Sequence, residues 1–273
     1  MSKAANDTAA DFIKGKIRQI VTDPEMARKL SDIDHPYAAK RPPIDTNYFE
    51  TFNRDNVALV DVRADPIQEI TPTGLRLESG AHHDLDMIVF ATGFDAMTGP
   101  LLRLGIEGRG GQKLTDTWRA GPVSFLGLAM PGFPNLFTIT GPGSPSVLAN
   151  MPVPIEQHVD WITDCIQHCL ANDVSTIEAE QHAAGDWVEH VREAAFATLL
   201  PEAGNTWYWG ANVPGKPRVF MPYAGGMVRY RDACDRVAGN DYAGFELGGS
   251  DEGERTQRRR MSYADVTHEN PGV

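Results

Sequence analysis

The chain is poor in cysteine, in positive charge and in long apolar runs, and each shortage excludes something. Three cysteines, Cys165, Cys169 and Cys234, occur in 273 residues; that is no disulfide framework and suits a reducing compartment. Acidic residues outnumber basic ones 37 to 25, giving a formal net charge of −12. Nucleic acid and anionic membranes would repel such a surface, so neither is an expected partner. No apolar run reaches the roughly 20 residues of a bilayer span, and Met1-Ser2-Lys3 opens no signal peptide. The expectation is a soluble, cytoplasmic protein that acts on a small molecule. With 41% apolar residues the chain can bury a real core, and its length suits about two domains.

What is present is organised around Asp86 to Asp95. Met87 to Ala91 is an unbroken apolar run with β-branched members, and Gly93 ends it, which predicts a strand buried on both faces as in a parallel sheet. A strand that stops in Ala91-Thr92-Gly93 brings a bare backbone turn to the carboxyl edge of such a sheet. Open α/β folds bind nucleotides at that edge, so Thr92 and Gly93 are candidate cofactor contacts. The fold class expected is α/β.

Ahead of this run, Asp7 or Thr8 can cap a helix carrying Ala9, Phe12, Ile13, Ile17, Ile20 and Val21 at helical spacing. Asp23-Pro24 ends it and caps a second helix through Met26, Ala27 and Leu30. So little surface cannot form a core of its own, which suggests that the chain starts in the middle of a domain. His35-Pro36 to Pro42-Pro43 is a connector bearing Lys40-Arg41, neighbouring cations that are ordinarily solvated surface. Val57 to Val62 predicts a strand, and Ile67–Ile70, Thr71–Gly74 and Leu75–Glu78 a hairpin. His82 and His83 fall in the polar turn that follows, without the further ligands a metal would need.

Beyond Asp95, Ser124–Ala129 and Leu136–Thr140 read as strands. The second leads into Gly141-Pro142-Gly143-Ser144-Pro145-Ser146, which imitates a dinucleotide loop but lacks the third glycine, and its prolines remove amides that a phosphate would need. Pro154 opens a helix with Ile155, Val159, Ile162, Ile166 and Leu170 as its stripe, widened by Trp161 and Cys165. His158, His168, Cys165 and Cys169 are spread around it and read as core thiols and surface imidazoles, so no metal site is expected. A second amphipathic helix covers about Ala179 to Leu200. Thr206 to Lys216, with Trp207, Tyr208 and Trp209, is too rich in aromatics, glycine and proline for a helix and predicts an ordered loop; such clusters are more often core or interface than cofactor contacts. Val219-Phe220-Met221 to Val237 completes the domain. Tyr242–Leu247 is the last segment with a core pattern, and the polar tail with Arg258-Arg259-Arg260 reads as disordered.

The Asp86-x-(apolar)-Ala91-Thr92-Gly93-Phe94-Asp95 run resembles a segment of the class B flavoprotein monooxygenases, and of the Baeyer-Villiger monooxygenases in particular. The Lys40-Arg41 pair followed by Asp45-Thr46-Asn47-Tyr48-Phe49-Glu50 is similar to theirs, as is the Trp207-x-x-Gly210-Ala211-Asn212-x-Pro214-Gly215-Lys216 string. The likeness extends over roughly residues 5 to 247 and looks closest to the phenylacetone and cyclic-ketone enzymes. It implies FAD and NADPH as cofactors, with a ketone and O2 as substrates. It further implies that Lys40 meets the 2′-phosphate of NADPH, that Arg41 reaches the flavin as the catalytic cation, and that Trp207 hydrogen-bonds the nicotinamide ribose from a mobile lid. Ser146, Val147, Leu148, Asn150 and Met151 would pass the flavin ring and line the substrate pocket, with Asn150 and Met151 also counted as cofactor contacts.

The two Gly-x-Gly-x-x-Gly loops of that family, and the His- and Trp-containing signature between them, are missing from the sequence: Gly108-Arg109-Gly110-Gly111 fits badly, and the Gly141 loop fails as argued. The expectation is therefore the C-terminal portion of a flavoprotein with two dinucleotide-binding domains, preceded by a helical piece. Residues 1–38 would belong to the insertion of the NADPH domain, 39–97 to the second part of that domain, 98–247 to the FAD domain, and 248–273 to the tail. Such a chain should hold FAD weakly or not at all alone, and a missing N-terminal half or a homodimer would be its partner. A non-catalytic remnant or partner subunit is the competing reading, and flavin N- or S-oxygenation is the runner-up chemistry.

Overall fold

Ser2 and Asp23 start the first two helices of the computed structural model, which describes residues 2–249. The chain divides into two compact units, one ending at Gly93 and the other beginning at Phe94.

In the first unit, α1 (Lys3–Ile20) begins a turn earlier than the sequence predicts, because Ser2 Oγ accepts from the Ala5 amide. Asp7 and Thr8 lie inside it. Helix α2 (Pro24–Leu30) starts as predicted, with Asp23 Oδ1 accepting from the Met26 amide at 2.7 Å and Pro24 at the first helical position. With the short α3 (Tyr48–Thr51) these helices bury Ile17, Val21 and Ala27 against Ile13, Met26, Leu30, Phe49 and Phe52. A small core forms where none was expected, because α3 adds two aromatic side chains.

The hairpin is present as β1 (Ile67–Thr71) and β2 (Gly74–Leu77), with Thr71 opposite Gly74. Gly74 is required there, since a Cβ would come 1.9 Å from the His83 carbonyl oxygen. That close approach exists because His82 and His83 are not in a turn. They belong to a third antiparallel strand, β3 (His82–Asp84).

Two predicted strands do not form. Val57–Val62 and Met87–Ala91 have no ladder partner among the described residues. Met87, Val89 and Phe90 are 70–79% exposed. A strand meant for the middle of a parallel sheet takes its hydrogen bonds from neighbours on both sides, and none is there to give them.

The second unit opens with α4 (Gly99–Arg103) and α5 (Leu114–Thr117). Its main core joins α6 (Pro152–Ala171), α7 (Gln181–Phe196) and α8 (Met227–Gly239) to the antiparallel pair β4 (Val174–Ala179) and β5 (Phe245–Gly249). Gly248 and Gly249 thus end a strand instead of starting the tail, and the rest of that tail lies outside the described residues. Ser124–Ala129 and Leu136–Thr140 form isolated bridges only. Leu126 and Gly127, both with positive φ, turn the first run back on itself, so that the Phe125 amide donates to the Ala129 carbonyl.

The predicted α6 stripe is met in part: Trp161 and Cys165, which widen it, are buried, and Ile162 packs against the same core. Ile155, Val159, Ile166 and Leu170 are exposed, while His158, Trp161, Cys165 and Cys169 are buried. His158 is no surface imidazole. Periodicity found the helix, but two apolar faces competed, and the one bearing the indole and the thiols packs on α8, where Trp161 Nε1 donates to the Cys234 carbonyl.

Candidate functional site

Lys40 follows a turn in which Ala38 has positive φ and the Ala39 amide donates to the Pro36 carbonyl. Its Nζ lies 3.7 Å from Asp34 Oδ1, and Arg63 Nη1 approaches Asp34 Oδ2 at 3.3 Å. Burial pushes the Asp34 carboxyl up, but Lys40 and Arg63 outweigh it and hold the group below the usual carboxylate range. Two cations thus converge on one anion, an arrangement that a phosphate could enter by displacing the carboxylate. Arg41 is on the exposed surface of the same connector, and Thr92 and Gly93 are exposed at the end of this unit, Gly93 with φ +88.

In the second unit the Gly141–Ser146 turn is committed to packing. The Gly143 amide donates to the Met221 carbonyl at 2.7 Å, the Ser144 amide to Gly141, and the Gly143 carbonyl accepts from Trp187 Nε1 at 2.9 Å. A Cβ at Gly143 would come 3.0 Å from Ser124 Oγ and 3.1 Å from Trp187 Nε1. The glycine makes room for an indole, and the Gly143 and Ser144 amides are already taken.

The turn hands the chain to Ser146, which is buried, takes φ +42, and donates through Oγ to Met97 Sδ at 3.5 Å. Met97 also has positive φ, at +66. Two non-glycine residues in the left-handed region thus touch, and such strain concentrates at functional sites. Val147 and Leu148 then pack into one apolar cluster with Trp207, Tyr208, Trp209 and Phe220. The predicted pocket wall and the predicted lid therefore share a surface. Asn150 is exposed and Met151 half-buried just before α6, and neither joins that cluster. Thr98 Oγ1 and Trp209 Nε1 are buried in this region without a hydrogen-bond partner among the described residues.

The Thr206–Lys216 segment is a loop except for one turn that the sequence did not predict. Thr206 caps a single helical turn, Trp207–Trp209, and Gly210 closes it with φ +69. The sequence reading missed what holds its far end. Lys216 Nζ is 2.6 Å from Asp95 Oδ1 and 3.1 Å from the Ala96 carbonyl, and Asn212 Nδ2 donates to the Phe94 carbonyl at 2.7 Å. Phe94 and Asp95 belong to one sequence motif and Asn212 and Lys216 to another, and nothing in the sequence joins the two.

No group of three or more metal-ligating side chains occurs among the described residues, and no helix there is long and apolar enough to cross a membrane.

No family model matches the chain. Known proteins do. The chain is 48% identical to a Baeyer-Villiger monooxygenase of Pseudooceanicola batsensis, over 88% of this chain and 43% of that protein. It is 42% identical to the phenazine N-monooxygenase PhzNO1 of Lysobacter antibioticus, over 89% and 44%. A crystal structure of OTEMO in complex with FAD and NADP superimposes with a TM-score of 0.85 at 44% identity, over 90% and 45%. In sequence and fold the chain is similar to one part of flavoprotein monooxygenases. Within that class the likeness is to the Baeyer-Villiger type, and the chain spans about half the length of the curated relatives it matches.

Proposed function

We propose that this chain forms the ketone-facing half of an FAD- and NADPH-dependent Baeyer-Villiger monooxygenase, which inserts one atom of O2 beside a ketone carbonyl to give an ester or lactone. The observation that carries this reading is the apolar cluster of Val147 and Leu148 with Trp207. It gives an apolar substrate a wall and a cover in one piece, with unsatisfied polar atoms nearby.

The residues fit the two cofactors unequally. Lys40 and Arg63, converging on Asp34, suit the 2′-phosphate of NADPH. The Gly143 and Ser144 amides are consumed within the unit and Pro142 has none to give, so the FAD pyrophosphate needs a cradle from another segment, in this polypeptide or a second one. The flavin, when bound, supplies the oxygen-activating redox chemistry.

This chain's own residues bind, cover and stabilise. Lys40 would exchange its carboxylate partner for the phosphate, distinguishing NADPH from NADH. Arg41 would steady the negative charge that develops as oxygen reaches the ketone carbonyl, a contribution of about 3 to 4 kcal/mol for one preorganised donor. Val147, Leu148 and Trp207 would exclude water. We place the assembled enzyme in the cytoplasm, as a complex with the complementary segment or as a homodimer.

Co-expression with a segment bearing the two Gly-x-Gly-x-x-Gly loops tests the reading. A yellow complex that keeps its flavin through gel filtration and converts a ketone into an ester supports it; a colourless, aggregating product supports a non-catalytic chain. The 42% identity to a phenazine N-monooxygenase favours one alternative, an N-oxide in place of an ester, and product analysis separates the two.

A further inference from the structure

We infer that Asp95 and Lys216 form a latch that holds the Trp207 loop down, making both positioning residues for the lid. The ammonium of Lys216 reaches Asp95 Oδ1 at 2.6 Å and the Ala96 carbonyl at 3.1 Å, and its side chain is 11% exposed. Partial burial matters, because an ion pair shielded from water is screened less than one on the surface.

Three features built around the pair support this role. Gly99 leaves room for the carboxylate, since a Cβ there would come 2.5 Å from Asp95 Oδ2. Gly210 does the same for the lysine stem: its Cβ would come 2.9 Å from Lys216 Cδ, and its φ of +69 suits glycine. Asn212 adds a second tie, to the Phe94 carbonyl at 2.7 Å.

Among the described residues, the loop's other backbone hydrogen bonds at this end are long. The Ala211 amide reaches the Thr206 carbonyl at 3.3 Å, and the Val213 and Lys216 amides reach Gly210 and Val213 at 3.3 Å each, all within the loop. The other end is anchored firmly, with Tyr208 buried and its carbonyl accepting from the Met221 amide at 2.9 Å. Releasing Lys216 should therefore loosen residues 210–216, leaving only the Asn212 tie, while the aromatic end stays seated. A lid needs that behaviour, with one end fixed and the other on a breakable tie.

Hydrogen exchange on the full chain, followed by mass spectrometry of peptides covering 204–216, tests the latch without any cofactor. In Lys216→Met and in Asp95→Asn, amides of 210–216 should exchange at least about tenfold faster than in the unaltered chain, with α6 and α8 unchanged. The swapped double variant Asp95→Lys with Lys216→Asp should recover much of the protection. Unchanged exchange in both single variants, or faster exchange throughout the unit, would overturn the inference. Its functional side rests on the monooxygenase reading, and the two fail separately. If the latch variants loosen the loop yet leave the ratio of ester formed to NADPH consumed unaltered in the assembled enzyme, the lid role fails while the latch stands.

Discussion

His158 Nε2 lies 2.8 Å from the Tyr230 hydroxyl, with both side chains fully buried. Tyr230 donates its single proton to the Leu126 carbonyl at 2.7 Å, so the shared contact must be made by a proton on His158 Nε2. On the other side of the ring, Nδ1 accepts from the Thr140 amide at 2.9 Å. The imidazole is therefore neutral, in one tautomer, and ties α6 to α8 and to the chain leading into the Gly141 turn. A charged ring would lose the Thr140 bond and be buried without a counter-ion.

Acid should thus destabilise this unit earlier than carboxylate protonation alone would. Burial lowers the His158 pKa from 6.5 to about 4. Between those values the unfolded chain binds the extra proton and the folded chain does not, so stability is fully present above the window and falls as the pH drops through it, by about 3 kcal/mol at most. Urea midpoints at about pH 7 and pH 5 should show a steeper loss in the unaltered chain than in His158→Gln. Equal slopes would refute the neutral-histidine assignment.

Two glycines should respond to alanine in opposite directions. Gly143, at φ +91 with Ser124 and Trp187 against it, has neither the backbone freedom nor the space for a Cβ, and Gly143→Ala should cost about 1–3 kcal/mol. Gly185, inside α7 with nothing within 4 Å, should gain up to about 1 kcal/mol. Denaturant midpoints check both.

The exposed run of Met87, Val89, Phe90 and Phe94 should make the isolated chain sticky, since apolar side chains beside unpaired backbone invite strand-to-strand association. Val89→Lys with Phe90→Asp should raise the soluble yield of the isolated chain and abolish assembly with the complementary segment. Light scattering and co-purification read the two effects; a double variant that still co-purifies would remove this run from the assembly surface.

Local signals were legible in the sequence and distant ones were not. Asp23-Pro24, the Thr71–Gly74 turn and the helical spacing after Pro154 act within a few residues, and the structure has all three elements. Strand β4 was missed because its partner, β5, lies some 70 residues away in the chain, as the Ile177–Leu247 pairing shows. Met87–Ala91 carries a correct apolar pattern for a strand, but a strand exists only with neighbours to bond. His158 on α6 was misread as a surface imidazole because it looked polar, when its two hydrogen bonds let it be buried. At the site, family likeness pointed to Val147, Leu148 and Trp207, which pack against the same buried residues. It gave no hint of the Asp95–Lys216 contact, where two ordinary charged residues 121 apart in sequence pair.

The account's central claim is that Arg41 serves the oxygen-transfer step and no other. The direct measurement is ester formed per NADPH consumed, in the enzyme assembled from this chain and its complementary segment, with and without Arg41→Ala. The account predicts that the variant still oxidises NADPH while its ester yield falls by at least about 100-fold, the loss expected for one preorganised donor. An ester yield equal to that of the unaltered enzyme would contradict it.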